Sequence, residues 1–133
     1  MKNIVPIVIS ILIFPILSLS GQLPDFTVTK FITSQTGFLH IQLENLSQHA
    51  VTIKEEWREK TFLTLYINRI KRAEFTFKHL DPALFKKNGS IVHRTNFRTG
   101  KPMTITVKIN HDRLIPESSY FNNELTEKMH GKE

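Results

Sequence analysis

The chain has 133 residues, a formal net charge of +6 and no cysteine. The lack of cysteine excludes disulfides, a thiolate nucleophile and a lipid-attached export signal, and the length is enough for one domain but not two. Six histidines are present, but none is spaced as a helical zinc pair, so we expect no metal site and no cofactor.

The first twenty residues, 1–20, have the layout of a secretory signal peptide. A short basic start leads into an apolar run over 4–17, and the small residues Ser18 and Ser20 precede the expected cleavage position. The run is shorter than the ~20 residues of a membrane-spanning helix. We therefore predict a signal-peptide helix and export to the periplasm or out of the cell. An uncleaved anchor at 4–20 is the less favoured alternative.

The remaining segment, 21–133, alternates apolar and polar residues with a period of two. In chain order, the alternating stretches are 26–29, 39–45, 50–53, 63–67, 73–77, 90–97 and 103–109. Such alternation is typical of half-buried strands with one solvated face. We predict a single all-β domain of about seven strands, arranged as a sandwich or a barrel. The short stretch 50–53 is expected to be an edge strand.

Two segments between these strands depart from the alternation. Asp81 followed by Pro82 supplies a capping residue and a first-position residue, which predicts a single helical turn over 81–85. The charge-dense segment 54–60 predicts an exposed helical turn or a wide loop. It contains Trp57, the only tryptophan, which fits either a core position or an exposed interface anchor.

Four motifs follow one another in a recognisable order. They are Pro24-Asp25-Phe26-Thr27-Val28, Leu43-Glu44-Asn45-Leu46-Ser47, Leu65-Tyr66-Ile67-Asn68, and a closing group of Asp112, Ile115, Glu117-Ser118 and Asn122-Asn123. This order resembles the bacterial cell-adhesion-related domain, CARDB, and the closing group is its most specific part. The family usually has glycine where this chain has Leu46, and no counterpart of the insert at 54–60. The resemblance covers about 24–126, the core of the domain. It implies an immunoglobulin-like antiparallel β-sandwich of about seven strands and an accessory role in exported or surface proteins.

The closing group also suggests local chemistry. Its oxygen-rich side chains could ligate Ca²⁺, but they lack the dense Asp repeats of dedicated calcium loops. Short side-chain amides can replace ladder hydrogen bonds where a chain enters a strand, and Glu117 can accept backbone N–H groups. We therefore interpret the group as a structural latch, with Tyr120 or Phe121 closing the open end of the sandwich. The candidate latch residues are Asp112, Glu117, Ser118, Asn122 and Asn123.

Basic residues form three groups near predicted turns. If the fold brings them to one end, they form a cationic rim for an acidic glycan or an anionic membrane. The alternative is that they are ordinary solvated loop residues. The candidate surface for an anionic ligand or a partner consists of Arg69, Lys71, Arg72, Lys86, Lys87, Arg94, Arg98, Lys101 and Trp57.

No residue constellation for catalysis is present. The sequence has no Gly-x-Ser-x-Gly and no glycine-rich phosphate loop. We expect an exported, non-catalytic interaction or structural module of the adhesion type, which binds a protein partner in trans through an edge strand or end loops. The alternative is a small binding protein for anionic ligands that uses the basic rim. Nucleic acid is not an expected partner of an exported chain.

Overall fold

The computed structural model describes residues 23–130, which form two antiparallel β-sheets. The strands are β1 (Phe26–Thr33), β2 (Phe38–Asn45), β3 (Thr61–Ile67), β4 (Ile70–Thr76), β5 (Ser90–Arg98), β6 (Met103–Ile109) and β7 (Glu124–Met129). One sheet has the order β1-β2-β5 and the other β4-β3-β6-β7. The predicted all-β class with about seven antiparallel strands is confirmed, but the seventh strand is β7 and not the predicted stretch 50–53. The signal helix predicted at 1–20 lies outside the described residues.

The alternating side chains build the core between the sheets. In β2, Leu39, Ile41 and Leu43 are fully buried, whereas the side chains between them are partly exposed. Ile105 and Val107 of β6 are fully buried in the other sheet. Full burial of an aliphatic side chain contributes about 1.5–3 kcal/mol, so packing between the sheets stabilises strands whose outer faces are polar.

Four phenylalanine rings close the core at one end. Phe26, Phe62, Phe77 and Phe85 are buried. Four of their pairs meet edge to face with ring centroids 5.1 to 5.7 Å apart, whereas the rings of Phe77 and Phe85 are tilted with centroids 5.8 Å apart. The edge-to-face arrangement places the positive edge of one ring against the negative face of the next. Phe26 is the first residue of β1, so the cluster anchors the point at which the chain enters the sandwich.

The connections contain only short 3₁₀ turns. The turn Pro82–Phe85 confirms the predicted helical turn, because the Asp81 carboxylate accepts the N–H of Ala83 at 3.0 Å. The predicted edge strand at 50–53 is wrong. This segment crosses from one sheet to the other, and Val51 makes a single backbone bond to the carbonyl of Phe85 at 2.8 Å. Within residues 23–130, no helix is long and apolar enough to cross a membrane.

The strand connections divide between the two ends of the sandwich. The latch end contains residues 24–25 and the connections 46–60, 77–89 and 110–123. The hairpin end contains the turns 34–37, 68–69 and 99–102 and the last residues of β7. Each predicted site residue can therefore be assigned to one end or to the strands between.

Candidate functional site

A buried carboxylate occupies the centre of the latch end. Glu117 is 5% exposed. Its Oε1 accepts the backbone N–H of Phe26 at 2.6 Å, and its Oε2 accepts the side-chain amides of Asn110, at 2.6 Å, and Asn123. One side chain thus joins the start of β1, the end of β6 and the start of β7.

Asn110 supports this carboxylate and was not among the predicted latch residues. It follows β6 directly and has a φ of 49°, a left-handed conformation that Asn tolerates better than most residues. Its Nδ2 donates to the carbonyl of Ile115 at 2.7 Å, and its Oδ1 accepts the Ile115 N–H at 3.2 Å. These two bonds fix the amide so that its second N–H points at Glu117.

The two adjacent asparagines each reach a carboxylate. Asn123 donates to Glu117, and Asn122 donates to Asp25 Oδ1 at 3.0 Å. Their own Oδ1 atoms are buried and have no hydrogen-bond partner among residues 23–130. The orientation of both amides is therefore set by the charge-assisted bonds, which are roughly twice as strong as neutral ones.

The remaining predicted latch residues differ in their roles. The Ser118 N–H donates to the carbonyl of Pro24 at 3.0 Å, and the Glu117 N–H donates to the Tyr120 hydroxyl at 3.2 Å. Asp112 is exposed and makes no hydrogen bond or ion pair within residues 23–130. The structure thus brings Glu117, Ser118, Asn122 and Asn123 together and leaves Asp112 outside.

Burial raises the pKa of the Glu117 carboxyl above its ordinary value. The hydrogen bonds from Asn110, Asn123 and the Phe26 N–H act in the opposite direction, and the nearby charge of Asp25 raises the pKa further. Both oxygens of the Glu117 carboxyl accept hydrogen bonds from N–H groups of the protein. The geometry therefore favours the latch interpretation over the Ca²⁺ alternative.

An exposed aromatic side chain projects beside the latch. Phe121 is 99% exposed and lies in the turn Phe121–Asn123. The neighbouring Tyr120 is half-buried, and the Arg113 guanidinium lies 4.3 Å from its ring centroid. Pockets of about 330 and 430 Å³ adjoin these three side chains. We call Arg113, Tyr120 and Phe121 the aromatic apex; Tyr120 covers the end of the sandwich, and Phe121 does not.

The predicted basic surface is divided by the fold. Arg69, Arg98 and Lys101 belong to the hairpin end, where Lys71 and Arg72 follow Ile70, the first residue of strand β4. Arg94 lies in the middle of β5, opposite His40. The rest of the predicted set, Lys86, Lys87 and Trp57, lies at the latch end.

Trp57 lies at the edge of the core. Its side chain is half-buried, and its ring centroid is 5.9 Å from that of Phe77. The Lys54 ammonium lies 5.1 Å from the centroid of the Trp57 ring. The turn Glu55–Trp57 thus folds back over the sandwich and leaves one part of the indole in contact with solvent.

The hairpin end carries a cluster of exposed basic residues. Its described segments 33–38, 67–71, 97–104 and 128–130 contain no aspartate or glutamate. Their basic residues are Arg69, Lys71, Arg98, Lys101, Lys128 and His130, all of which are exposed. Lys71 pairs with Glu74 of β4 at 2.8 Å, whereas Arg69, Arg98 and Lys101 make no ion pair within residues 23–130.

The sequence matches no protein-family model, and it matches no curated protein. The fold matches the crystal structure of the CARDB domain of the PF1109 protein from Pyrococcus furiosus, determined in complex with di-metal ions. The TM-score is 0.52 at 16% sequence identity, and the match covers 83% of this chain and 94% of that domain. The chain has the fold of a CARDB domain. At this identity the likeness establishes the fold alone.

Within this CARDB fold, three of the four sequence motifs meet at the latch end. The opening motif contacts the closing group through Asp25 and Asn122. The second motif ends near Asn45, whose Oδ1 lies 3.3 Å from the Asp25 N–H and whose Nδ2 donates to the carbonyl of Lys86 at 3.1 Å. The third motif, ending at Asn68, forms the β3–β4 hairpin at the opposite end.

Proposed function

We propose that the chain is an exported, non-catalytic interaction module with an immunoglobulin-like CARDB fold, and that it binds a protein partner in trans through the aromatic apex. The observation that carries this proposal is the position of Phe121. Its side chain is 99% exposed, although both residues that follow it are tied to buried or half-buried carboxylates. A rigid turn that presents an aromatic side chain to solvent is suited to recognition.

The apex has the composition of a binding hot spot. Tyrosine and arginine are enriched among residues that dominate interface energies, and here Arg113 stacks on Tyr120. Binding by a preorganised turn avoids much of the entropy cost of ordering side chains and loops. The fold leaves the ring of Phe121 in contact with water. An apolar pocket on a partner would bury it.

The other parts of the proposal have separate support. Residues 1–20 have the layout of an export signal. The strand order supports an immunoglobulin-like sandwich, because strands one, two and five form one sheet and strands three, six and seven the other. In constant-type immunoglobulin domains the fourth strand joins the first sheet, whereas here it pairs with strand three.

Affinity capture with matched variants tests the role of the apex. The tagged full chain and its Phe121→Ser and Ile70→Ser variants are incubated with an envelope extract of the source organism. Ile70 is a matched control because it is 61% exposed and lies at the opposite end. We expect one discrete protein to be retained by the parent and by Ile70→Ser, and lost with Phe121→Ser. Equal retention by all three proteins contradicts the proposed site.

A second candidate function is the binding of anionic ligands through the hairpin end. The observation that favours it is the cluster of exposed basic residues in segments without a carboxylate. Elution of the protein from a heparin column with rising salt tests it, because screening weakens exposed charge interactions. Arg69→Ser/Lys101→Ser should elute at lower salt than Lys86→Ser/Lys87→Ser, which removes the same charge from the latch end. Equal elution contradicts a localised site.

A further inference from the structure

The tip of the β3–β4 hairpin is a rigid projection. Asn68 and Arg69 both have positive φ, 52° and 69°, as in the tight two-residue turns that match strand twist. The Asn68 N–H donates to the carbonyl of Thr104 at 2.8 Å, and its Oδ1 accepts the Thr104 N–H at 3.0 Å. The backbone of the tip is thereby fastened to β6.

The tip combines an apolar side chain with surrounding positive charge. Ile70 is 61% exposed and stands between Arg69 and Lys71. The β5–β6 turn at the same end adds Lys101, followed by the exposed Pro102. No carboxylate lies in the described segments of this end. The Glu74 carboxylate pairs with Lys71 at 2.8 Å, which leaves Arg69, Arg98 and Lys101 as exposed cations without an ion pair within residues 23–130.

We infer that the hairpin end docks on an anionic lipid bilayer, with Ile70 inserted among the headgroups and the basic residues on the lipid phosphates. This inference rests on the second candidate function and specifies its ligand. A bilayer interface supplies both a negative surface and an apolar layer beneath it. A soluble polyanion such as a sulfated glycan satisfies the cations and offers no apolar contact to Ile70. The exposed side chain of Ile70 therefore favours an anionic bilayer over a soluble polyanion as the ligand.

Vesicle binding tests the inference with the full chain, recovered after expression with its natural N-terminus. The probes are vesicles of phosphatidylcholine with about 30 mol% phosphatidylglycerol, and vesicles of phosphatidylcholine alone. All variants share residues 1–22, so any lipid affinity of that segment is common to them. Co-sedimentation at low salt and at about 0.5 M salt gives the apparent affinity and its screening.

The expected result is binding to the anionic vesicles that falls at high salt. Arg69→Ser/Lys101→Ser should weaken it by about fivefold for each charge removed, and Lys86→Ser/Lys87→Ser by much less. Ile70→Ser should weaken it by about tenfold, the scale of burying an aliphatic side chain. Val92→Ser, at a 49% exposed position within β5, should leave it unchanged. Ile70 is exposed, and circular dichroism verifies that each variant is folded.

Three outcomes overturn the inference. If the two double variants lose affinity equally, the vesicles respond only to the net charge of the protein, and the hairpin end is not a specific docking surface. If Ile70→Ser binds as tightly as the parent, no side chain is inserted. If the parent binds heparin but not anionic vesicles, the ligand is a soluble polyanion; the second candidate function then stands and only the lipid assignment fails.

Discussion

The carboxylate of Glu117 accepts the backbone N–H of Phe26 at 2.6 Å, across a separation of 91 residues. The ring of Phe26 lies in the aromatic cluster of the core, while its N–H is held by the latch. The first residue of the first strand is therefore fixed from both sides. Several measurable properties of the protein depend on this one contact.

Replacement of Glu117 by glutamine should lower the free energy of unfolding at neutral pH. Glutamine offers one acceptor oxygen, so its NH₂ group must face either the Phe26 N–H or the amides of Asn110 and Asn123. A buried donor without an acceptor costs about 1–3 kcal/mol. Urea unfolding measures the change. Glu127→Gln, on exposed β7, is the control and should stay within about 0.5 kcal/mol of the parent.

Asn110 should be sensitive to both its side chain and its backbone. Asn110→Gly and Asn110→Ala both remove the hydrogen bonds to Ile115 and Glu117. Alanine, unlike glycine, keeps a Cβ at a φ of 49°, and it has no side-chain amide to compensate for the strain. We expect both variants to be destabilised, with alanine worse than glycine by about 1–2 kcal/mol. Thermal and urea unfolding of the pair measure this difference. Equal stability of the two variants would show that the left-handed backbone carries no cost.

The pH dependence of stability should reveal the buried carboxyl. The pKa of Glu117 in the folded state lies above its ordinary value of 4.5, so the folded protein binds this proton more tightly than the unfolded chain. The resulting contribution is fully present below that ordinary value and is lost as pH rises through the folded-state pKa. The unfolding free energy of the parent relative to Glu117→Gln should therefore decrease with rising pH.

This experiment needs a background that isolates Glu117 from its neighbour. The charge of Asp25 contributes to the raised pKa, so the same comparison is made with Asp25→Asn in both proteins. We expect the decrease to persist and to move to lower pH. If the unfolding free energy of the parent relative to Glu117→Gln increases with pH in either background, the raised pKa is wrongly assigned to Glu117.

Trp57 should contribute to stability although it lies in a charged segment. Trp57→Ala removes a half-buried indole from the ring of Phe77, with an expected loss of about 1–3 kcal/mol. Glu56→Ala, in the same turn and exposed, is the control. The change in denaturation midpoint between the two variants measures the effect. An equally small change in both variants would mean that the indole adds nothing to the core.

Strand positions were predictable because burial of one sheet face imposes a period of two on the sequence. The segment 50–53 has the same β-branched composition but lacks a neighbouring strand, because its connection must change sheets. Composition alone does not contain that constraint. The structure places Asn68 and Arg69 in the left-handed region. Asn is a residue that adopts this conformation locally, whereas Arg69 carries no such signal in the sequence.

The candidate site was predictable only in part. The closing group, which carries the family resemblance, contains Glu117, Asn122 and Asn123 close together in sequence. Asn110 acts through Ile115 and a left-handed backbone, and its one signal was an asparagine directly after an alternating strand. The separation of Lys86 and Lys87 from the other basic residues depends on chain direction across the sandwich, which no local pattern records.

The two ends of the sandwich are kept apart by strands of seven to nine residues. At about 3.3–3.4 Å per residue these strands span roughly 25–30 Å. The chain enters beside the aromatic apex and reaches residue 130 beside the cationic hairpins. If the protein binds a charged surface through its basic end, Phe121 projects from the opposite end at a fixed distance from that surface. The domain then acts as a rigid spacer between the surface and the partner that Phe121 contacts.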